Sequence, residues 1–306
     1  MWFKNIFFYQ FSQAFEFTAE QIEEKLQEFS FKPCGKTELQ SQGWAPALTP
    51  KANTLTHTAG DYTLVCLKKQ EKVLPASVVK EILDEKISEI EAAEGRKVKG
   101  KEKQVMKEEL IHTLLPQAFT KSSFIKAYLA PKAGWVVVEA SSSTKAEEIL
   151  SYLRKCLGTL PVVPLETAGQ LMFTFDEWMK GNHPQDITLG TEVELKDFAE
   201  DEGVVRCKNL SLDSEDLQNH LKNGKHVTKI GIDWAETLSC VLSDDLSVKR
   251  IKFSDVIKEQ NEDITDEDKL ARLDADFALM TGELTKFLDR LTVLYSEEVA
   301  GASESE

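Results

Sequence analysis

The chain has 306 residues, 42% of them hydrophobic, and carries 52 acidic against 37 basic side chains. No apolar run reaches the roughly 20 residues of a membrane-spanning helix, so we expect no membrane partner. Five cysteines are scattered without a CxxC pair, which favours a reducing, cytoplasmic compartment over a disulfide framework or a zinc site. A chain of this length is expected to form two or three domains.

The negative charge is unevenly distributed along the chain. Residues 1–165 hold 22 basic and 20 acidic side chains, a balance of +2, whereas residues 166–306 hold 15 and 32, a balance of −17. Charges are screened within about 8 Å at physiological salt, so a basic face can bind phosphate while a distant face stays acidic. The net charge of −15 therefore does not exclude nucleic acid as a partner.

The first half of the chain has the pattern of an α+β domain. The aromatic-rich start, residues 1–17, predicts a strand, and Thr18-Ala19-Glu20-Gln21 predicts a capped helix start. Residues 55–69 predict a hairpin that turns at Gly60-Asp61. Two further strands, a helix and an extended segment are predicted over 124–129, 135–139, 144–157 and 160–165. We expect residues 1–75 and 120–165 to form one central domain.

The segment 76–119 interrupts this domain, and its apolar spacing predicts a helical hairpin. Gly95 and Gly100 predict the break between its two helices, and Pro116 predicts the end of the second. The tip is strongly basic, with one acid, Glu102, among six cations: Arg96, Lys97, Lys99, Lys101, Lys103 and Lys107. A solvated tip is the plain interpretation, and a phosphate-binding tip is the functional one.

Residues 166–306 predict a second, acidic α+β domain, which we call the base domain. We expect helices over 175–179, 193–198, 214–222 and 266–291, and strands over 203–208, 226–234, 237–242 and 248–253. The small, acidic tail over 296–306 is expected to be disordered. The fold class is thus α+β, with antiparallel sheets, packed helices and a protruding helical hairpin.

Catalytic motifs are weak throughout the sequence. Cys34-Gly35-Lys36-Thr37 contains the end of a phosphate-loop motif, but Ser30 replaces its first glycine. Asp233, Asp244 and Asp245, or Asp274 with Asp276, could pair as metal-binding carboxylates, although turns and helix starts commonly carry Asp. The residues alone indicate a protein that is not an enzyme and needs no metal or cofactor.

A set of motifs in order along nearly the whole chain resembles the RdgC family of bacterial recombination-associated proteins. They are MWFKN at the start, Phe-x-Pro-Cys-Gly at 31–35, Gly-Trp at 43–44, Leu-Thr-His at 55–57, Leu-Leu-Pro-x-Ala-Phe at 114–119, the Leu/Pro-rich stretch at 153–165, Gln-Asn-Glu-Asp at 260–263 and Asp-Ala-Asp-Phe-x-Leu-Met-Thr-Gly-Glu-Leu at 274–284. The resemblance implies a ring-shaped homodimer that binds DNA without sequence preference. Double-stranded DNA is the expected partner, and single-stranded DNA is left open as a second one. The same resemblance implies a nucleoid-associated protein that limits RecA-driven strand exchange.

The resemblance also implies roles for individual residues. The basic tip would face DNA, and Phe119, with Leu115 and Pro116, would form a contact between the tips of two subunits. Further DNA contacts are expected from the cations of the base domain, which are Arg206, Lys208, Lys229, Lys249, Arg250 and Lys252. Two alternatives stay open: a metal-dependent exonuclease, and a regulator that binds RecA through its acidic half without DNA.

Overall fold

A computed structural model describes residues 1–167, 169–198, 203–210, 212, 214–261, 264 and 268–296. Eight α-helices lie within these ranges: α1 Ala19–Gln27, α2 Ala76–Glu94, α3 Gly100–Leu114, α4 Ser143–Leu157, α5 Leu171–Met179, α6 Glu215–Lys222, α7 Asp255–Glu259 and α8 Lys269–Ser296. The strands are β1 Ile6–Phe11, β2 Gln40–Ala45, β3 His57–Ala59, β4 Tyr62–Val73, β5 Phe119–Ala130, β6 Trp135–Glu139, β7 Val162–Pro164, β8 Ile187–Asp197, β9 Val204–Lys208, β10 Lys225–Trp234, β11 Leu238–Ser243 and β12 Val248–Phe253.

These strands form one antiparallel sheet that runs through both halves of the chain. Its order is β2-β4-β5-β6-β1-β12-β11-β10-β8-β9, with β3 paired to β4 and β7 paired to β1. The join between the halves is short, with Ile6 opposite Val248. The proposed division into central, tip and base domains stays a prediction.

Side chains alternate between the two faces of the sheet and pack into two hydrophobic cores, one on each face. On one face, Phe7 and Tyr9 of β1 pack with α1 and α4. On the other face, Ile6 and Phe8 pack with α8, whose apolar stripe also covers strands of the second half. Polar contacts fasten α8 to this face, including a hydrogen bond of 2.9 Å that Trp135 donates to Asp289.

Helix α1 begins as its sequence predicts. Thr18 caps it with a hydroxyl that accepts from the Gln21 N–H, while the Gln21 side chain accepts from the Thr18 N–H. This reciprocal pairing satisfies two N–H groups that a helix start leaves without partners. The predicted hairpin at Gly60, the helical hairpin and the antiparallel α+β class are likewise confirmed.

One predicted helix is wrong. Residues 193–197 belong to β8, where Val193 and Leu195 are buried and alternate with Glu194 and Lys196. Burial alternates with a period of two residues, as in a half-buried strand. The hydrogen-bonded pairing of this segment with β10 holds it in the strand conformation. The predicted disordered tail covers 296–306: Ser296 is the last residue of α8, and residues 297–306 lie outside the described residues.

The helical hairpin stands at the far ends of β4 and β5, a strand pair that we call the arm and that β2 flanks on the β4 side as far as Gln40↔Glu71. Strands β4 and β5 pair from Thr63↔Leu129 out to Val73↔Phe119 without a register shift, and α2 and α3 connect their far ends. The β5 residues from Phe119 to Phe124 are all exposed, so this half of the arm extends beyond the cores.

Candidate nucleic-acid interface

The tip of the hairpin is a short, ordered turn between α2 and α3. Gly95 ends α2 in the left-handed conformation, at φ 66°, which favours glycine, and its N–H donates to the Glu91 carbonyl. Val98 is buried beneath the turn, and its N–H donates to the Glu91 carboxylate at 2.9 Å. The turn therefore holds the flanking cations outward on a fixed backbone.

Arg96 is bound within the tip rather than left free. Its guanidinium donates two hydrogen bonds to Glu102, at 2.7 and 2.8 Å, and one to Glu94 at 2.6 Å. Hydrogen bonds from Arg96 lower the pKa of the Glu102 carboxyl, so Glu102 stays ionised at neutral pH. The sequence count of cations overstated the available charge of the tip, because these two acids offset Arg96.

The other five tip cations are exposed lysines: Lys97, Lys99, Lys101, Lys103 and Lys107. Among the described residues, no carboxylate lies within ion-pair distance of any of them. Lys103 and Lys107 lie one turn apart on the same side of α3, and Lys99 caps the start of that helix four residues earlier. Unpaired lysines on a helix side suit contact with phosphates because no internal ion pair must break first.

The aromatic at the base of the hairpin is exposed. Phe119 is 87% exposed and stands directly opposite Val73, which is itself 43% exposed. Leu115 is 2% exposed and so has no surface to offer a second subunit, whereas Pro116 is exposed in the 3₁₀ turn that follows α3. The expectation that Leu115 contacts another subunit is corrected, since its side chain packs inside the protomer.

A second basic surface lies on the base half of the sheet. Five of the six predicted cations line a single concavity of about 240 Å³: Arg206, Lys208, Lys229, Lys249 and Arg250. The cations lie on β9, β10 and β12, at positions up to 44 residues apart, so no local sequence pattern could reveal that they are neighbours. Lys252 lies apart from them, in a neighbouring concavity that Trp2 and Lys4 also line.

Acidic side chains reduce the positive charge of this second surface. Glu194 accepts from Lys229 at 2.5 Å and from Arg206 at 2.6 Å, and Arg250 pairs with Glu192. Burial raises the pKa of Glu194, but the hydrogen bonds from Lys229 and Arg206 outweigh burial and leave the pKa below its usual value. The concavity is thus a paired, weakly positive surface, less available to phosphates than the tip.

The candidate catalytic residues have structural partners. Gly35 donates its N–H to Glu38 at 2.7 Å, which places a carboxylate where a phosphate loop would hold phosphate. Asp274 accepts from His57 at 2.8 Å, and Asp276 accepts from the amino group of Met1 at 2.7 Å. Within the described ranges, no three or more His, Cys, Asp or Glu side chains cluster closely enough to hold a metal ion.

The sequence did not single out a third surface, on the arm itself. Lys68 lies 4.2 Å from the ring centroid of Phe31 and 5.8 Å from that of Phe124, which is 58% exposed. The signal was present as an alternation of Lys68, Gln70 and Lys72 along β4, but the partner residues on β5 follow the whole hairpin insert in sequence.

Together, the fold and these surfaces define an α+β protein with a basic hairpin on an extended arm. Comparison with known proteins gives the family: residues 1–298 match the family model described as "Putative exonuclease, RdgC". A "Recombination-associated protein RdgC" of Aeromonas hydrophila is 48% identical over 292 residues, covering 95% of this chain and 96% of that protein. Proteins of the same name from Tolumonas auensis and Pseudoalteromonas atlantica are 48% and 46% identical, over 98% and 97% of this chain and 100% and 98% of theirs.

The chain therefore belongs to the RdgC family. The names of the relatives associate the family with recombination, whereas the family description names an exonuclease. Among the described residues, no helix is both long and apolar enough to span a membrane.

Proposed function

We propose that this protein binds DNA without sequence preference and, as a homodimer closed into a ring, limits RecA-mediated recombination. The five exposed lysines of the hairpin tip are the observation that carries the proposal. They neutralise phosphates by releasing counterions, a mode of binding that reads no base. Such a protein would work in the cytoplasm on the nucleoid.

Phe119 is the proposed contact between the tips of two subunits. An aromatic that is 87% exposed at the base of a basic hairpin suits an interface anchor, and burial against its symmetry mate would remove it from water. A two-fold ring would present every tip lysine twice, so a modest patch per subunit becomes a longer positive lining. The basic concavity on the base half would add a second, weaker set of contacts.

The test is the salt dependence of binding to a fluorescent duplex of random sequence. The variant Lys97→Glu/Lys99→Glu/Lys101→Glu should bind more weakly, and its slope of log affinity against log salt should flatten by up to about 2.7, or 0.9 for each lost phosphate contact. A matched control, Lys25→Glu/Lys51→Glu/Lys145→Glu, makes the same charge change at exposed lysines away from the tip. An unchanged slope in the tip variant, or an equal change in the control, would refute phosphate contact by the tip.

The family description makes an exonuclease the second candidate. That activity predicts magnesium-dependent degradation of linear DNA that Asp274→Asn or Asp276→Asn abolishes. The third candidate, direct binding to RecA by the acidic half, predicts that inhibition of strand exchange survives the tip charge reversal. One set of purified variants thus separates all three activities.

A further inference from the structure

The open side of the arm combines cations, polar groups and one aromatic ring. Four rungs of the β4–β5 ladder project to this side, because their side chains alternate in step with Tyr128, which α8 covers. The rungs are Lys68–Phe124, Gln70–Ser122, Lys72–Thr120 and, at the inner end, Cys66–Lys126, where Cys66 is buried. None of these eight residues is acidic, and the nearest cross-strand acid is Glu139 of β6, opposite Lys126. We name this surface the arm face.

The described cations of the arm face form no ion pairs with carboxylates. Among the described residues, no acid lies within ion-pair distance of Lys68, Lys72 or Lys126. Lys68 lies over the Phe31 ring and Lys126 donates to the Met1 sulfur at 2.9 Å, so contacts other than ion pairs position both amino groups. This surface therefore suits a polyanion.

Phe124 identifies the kind of polyanion. Its ring is 58% exposed in the middle of the arm face, where Lys68 lies 5.8 Å from its centroid. A protein partner would have to supply its own carboxylates to these lysines, and the arm face would offer it only one exposed aromatic side chain. Duplex DNA would leave the ring unused, since its base faces are stacked on one another. An unpaired base can stack on the ring while its flanking phosphates meet the lysines.

We infer that the arm face binds single-stranded nucleic acid, with an unpaired base stacked on Phe124 and phosphates held by Lys68 and Lys72. Gln70, which donates to Thr120 at 3.4 Å, and Ser122 supply polar groups between the cations. The inference rests on the proposed DNA binding and adds a site for the single-stranded DNA that the resemblance leaves open as a second partner. Phe119 lies five residues away on the opposite side of the same strand, so this site is separate from the proposed subunit contact.

The experiment measures the affinity of the full-length protein for a fluorescent oligothymidylate and for a random duplex at one low salt concentration. Phe124→Ala should weaken oligothymidylate binding by about fivefold to a hundredfold, and duplex binding by less than about twofold. Phe124→Trp should restore the single-strand affinity because it keeps the stacking surface. Phe173→Ala, which removes an exposed phenylalanine from α5, should change neither affinity.

Three results would overturn the inference: unchanged oligothymidylate binding by Phe124→Ala, an equal loss for both kinds of DNA, or wild-type protein that binds only duplex. In each case the proposed function stands if the tip charge reversal weakens duplex binding. Wild-type protein that binds neither DNA would overturn both. As a second measurement, photocross-linking to an iodouracil-containing oligonucleotide should label the Phe124 peptide, and labelling confined to the hairpin tip would contradict the site.

Discussion

Gly43 is the position where a single added methyl group should disturb the fold most directly. A Cβ there would lie 2.5 Å from the Phe31 Cα, 2.7 Å from the Phe31 nitrogen and 2.9 Å from the Phe29 carbonyl oxygen. Ordinary contacts need about 3.5 Å or more, so the two segments would have to separate by about 1 Å. That movement would stretch the hydrogen bonds from Phe31 to Trp44 and from Trp44 to Phe29, now 2.8 and 3.0 Å long.

Gly43→Ala should therefore lower the free energy of unfolding by about 2–4 kcal/mol, combining overpacking with two weakened hydrogen bonds. The assay is urea unfolding followed by tryptophan fluorescence and far-UV circular dichroism. Gly282→Ala is the matched control, because nothing lies within 4 Å of its added Cβ in α8. Alanine at that helical site should stabilise by about 0.5–1 kcal/mol. A Gly43→Ala protein as stable as wild type would refute the reasoning.

Three further predictions concern assembly, the tip and acid stability. Phe119→Ser should weaken ring closure and duplex affinity while the circular dichroism spectrum stays unchanged. Glu102→Gln should remove one of the two carboxylates that hold Arg96, leaving its bond to Glu94, and so steepen the salt slope of duplex binding by less than the roughly 0.9 of a full phosphate contact. A hydrogen-bonded ion pair with Arg290 lowers the pKa of Asp186, so the pair should stabilise the fold above about pH 4 and lose that contribution as pH falls through the lowered pKa. Asp186→Asn should reduce this acid-dependent loss of stability.

Each of these predictions has a control of matched chemistry. Val105→Ser removes another exposed apolar side chain from the insert, and equal effects from it would contradict a specific role for Phe119. Glu81→Gln removes the same charge from α2, so an equal gain in affinity would indicate a general charge effect. Asp255→Asn breaks an exposed ion pair, and an acid profile shifted as much as in Asp186→Asn would argue against the Arg290 contact.

Local patterns predicted much of the secondary structure but little of its assembly. Thr18 and Gln21 lie within one helical turn, and the Gly60 turn joins adjacent strands. The interactions that form both features are between residues close in sequence, so a local pattern can predict them. The segment from Val193 was assigned the wrong period because its pairing with β10, which lies some 30 residues later, fixes it as a strand. Sequence reasoning could not reveal that one sheet joins both halves.

The candidate surfaces show the same limit. The basic tip is contiguous in sequence and was found, but the pairing of Arg96 with Glu94 and Glu102 depends on a turn that brings helix ends together. The base concavity and the arm face arise from strand register between distant segments. Phe124 was assigned only to a strand, because its neighbour Lys68 precedes the whole helical insert.

The position of α8 has a consequence for how the protein is made. Its residues 269–296 cover a sheet face built from strands in the first 140 residues, with contacts such as Trp135 to Asp289 and Tyr128 to Phe277. At translation rates of about 5–20 residues per second, that face waits roughly 8–30 s for its helix to emerge from the ribosome. During this interval, Phe8, Tyr128 and Trp135 lack the helix that covers them in the folded protein. We therefore expect the nascent chain to expose apolar surface to chaperones that bind aromatic side chains.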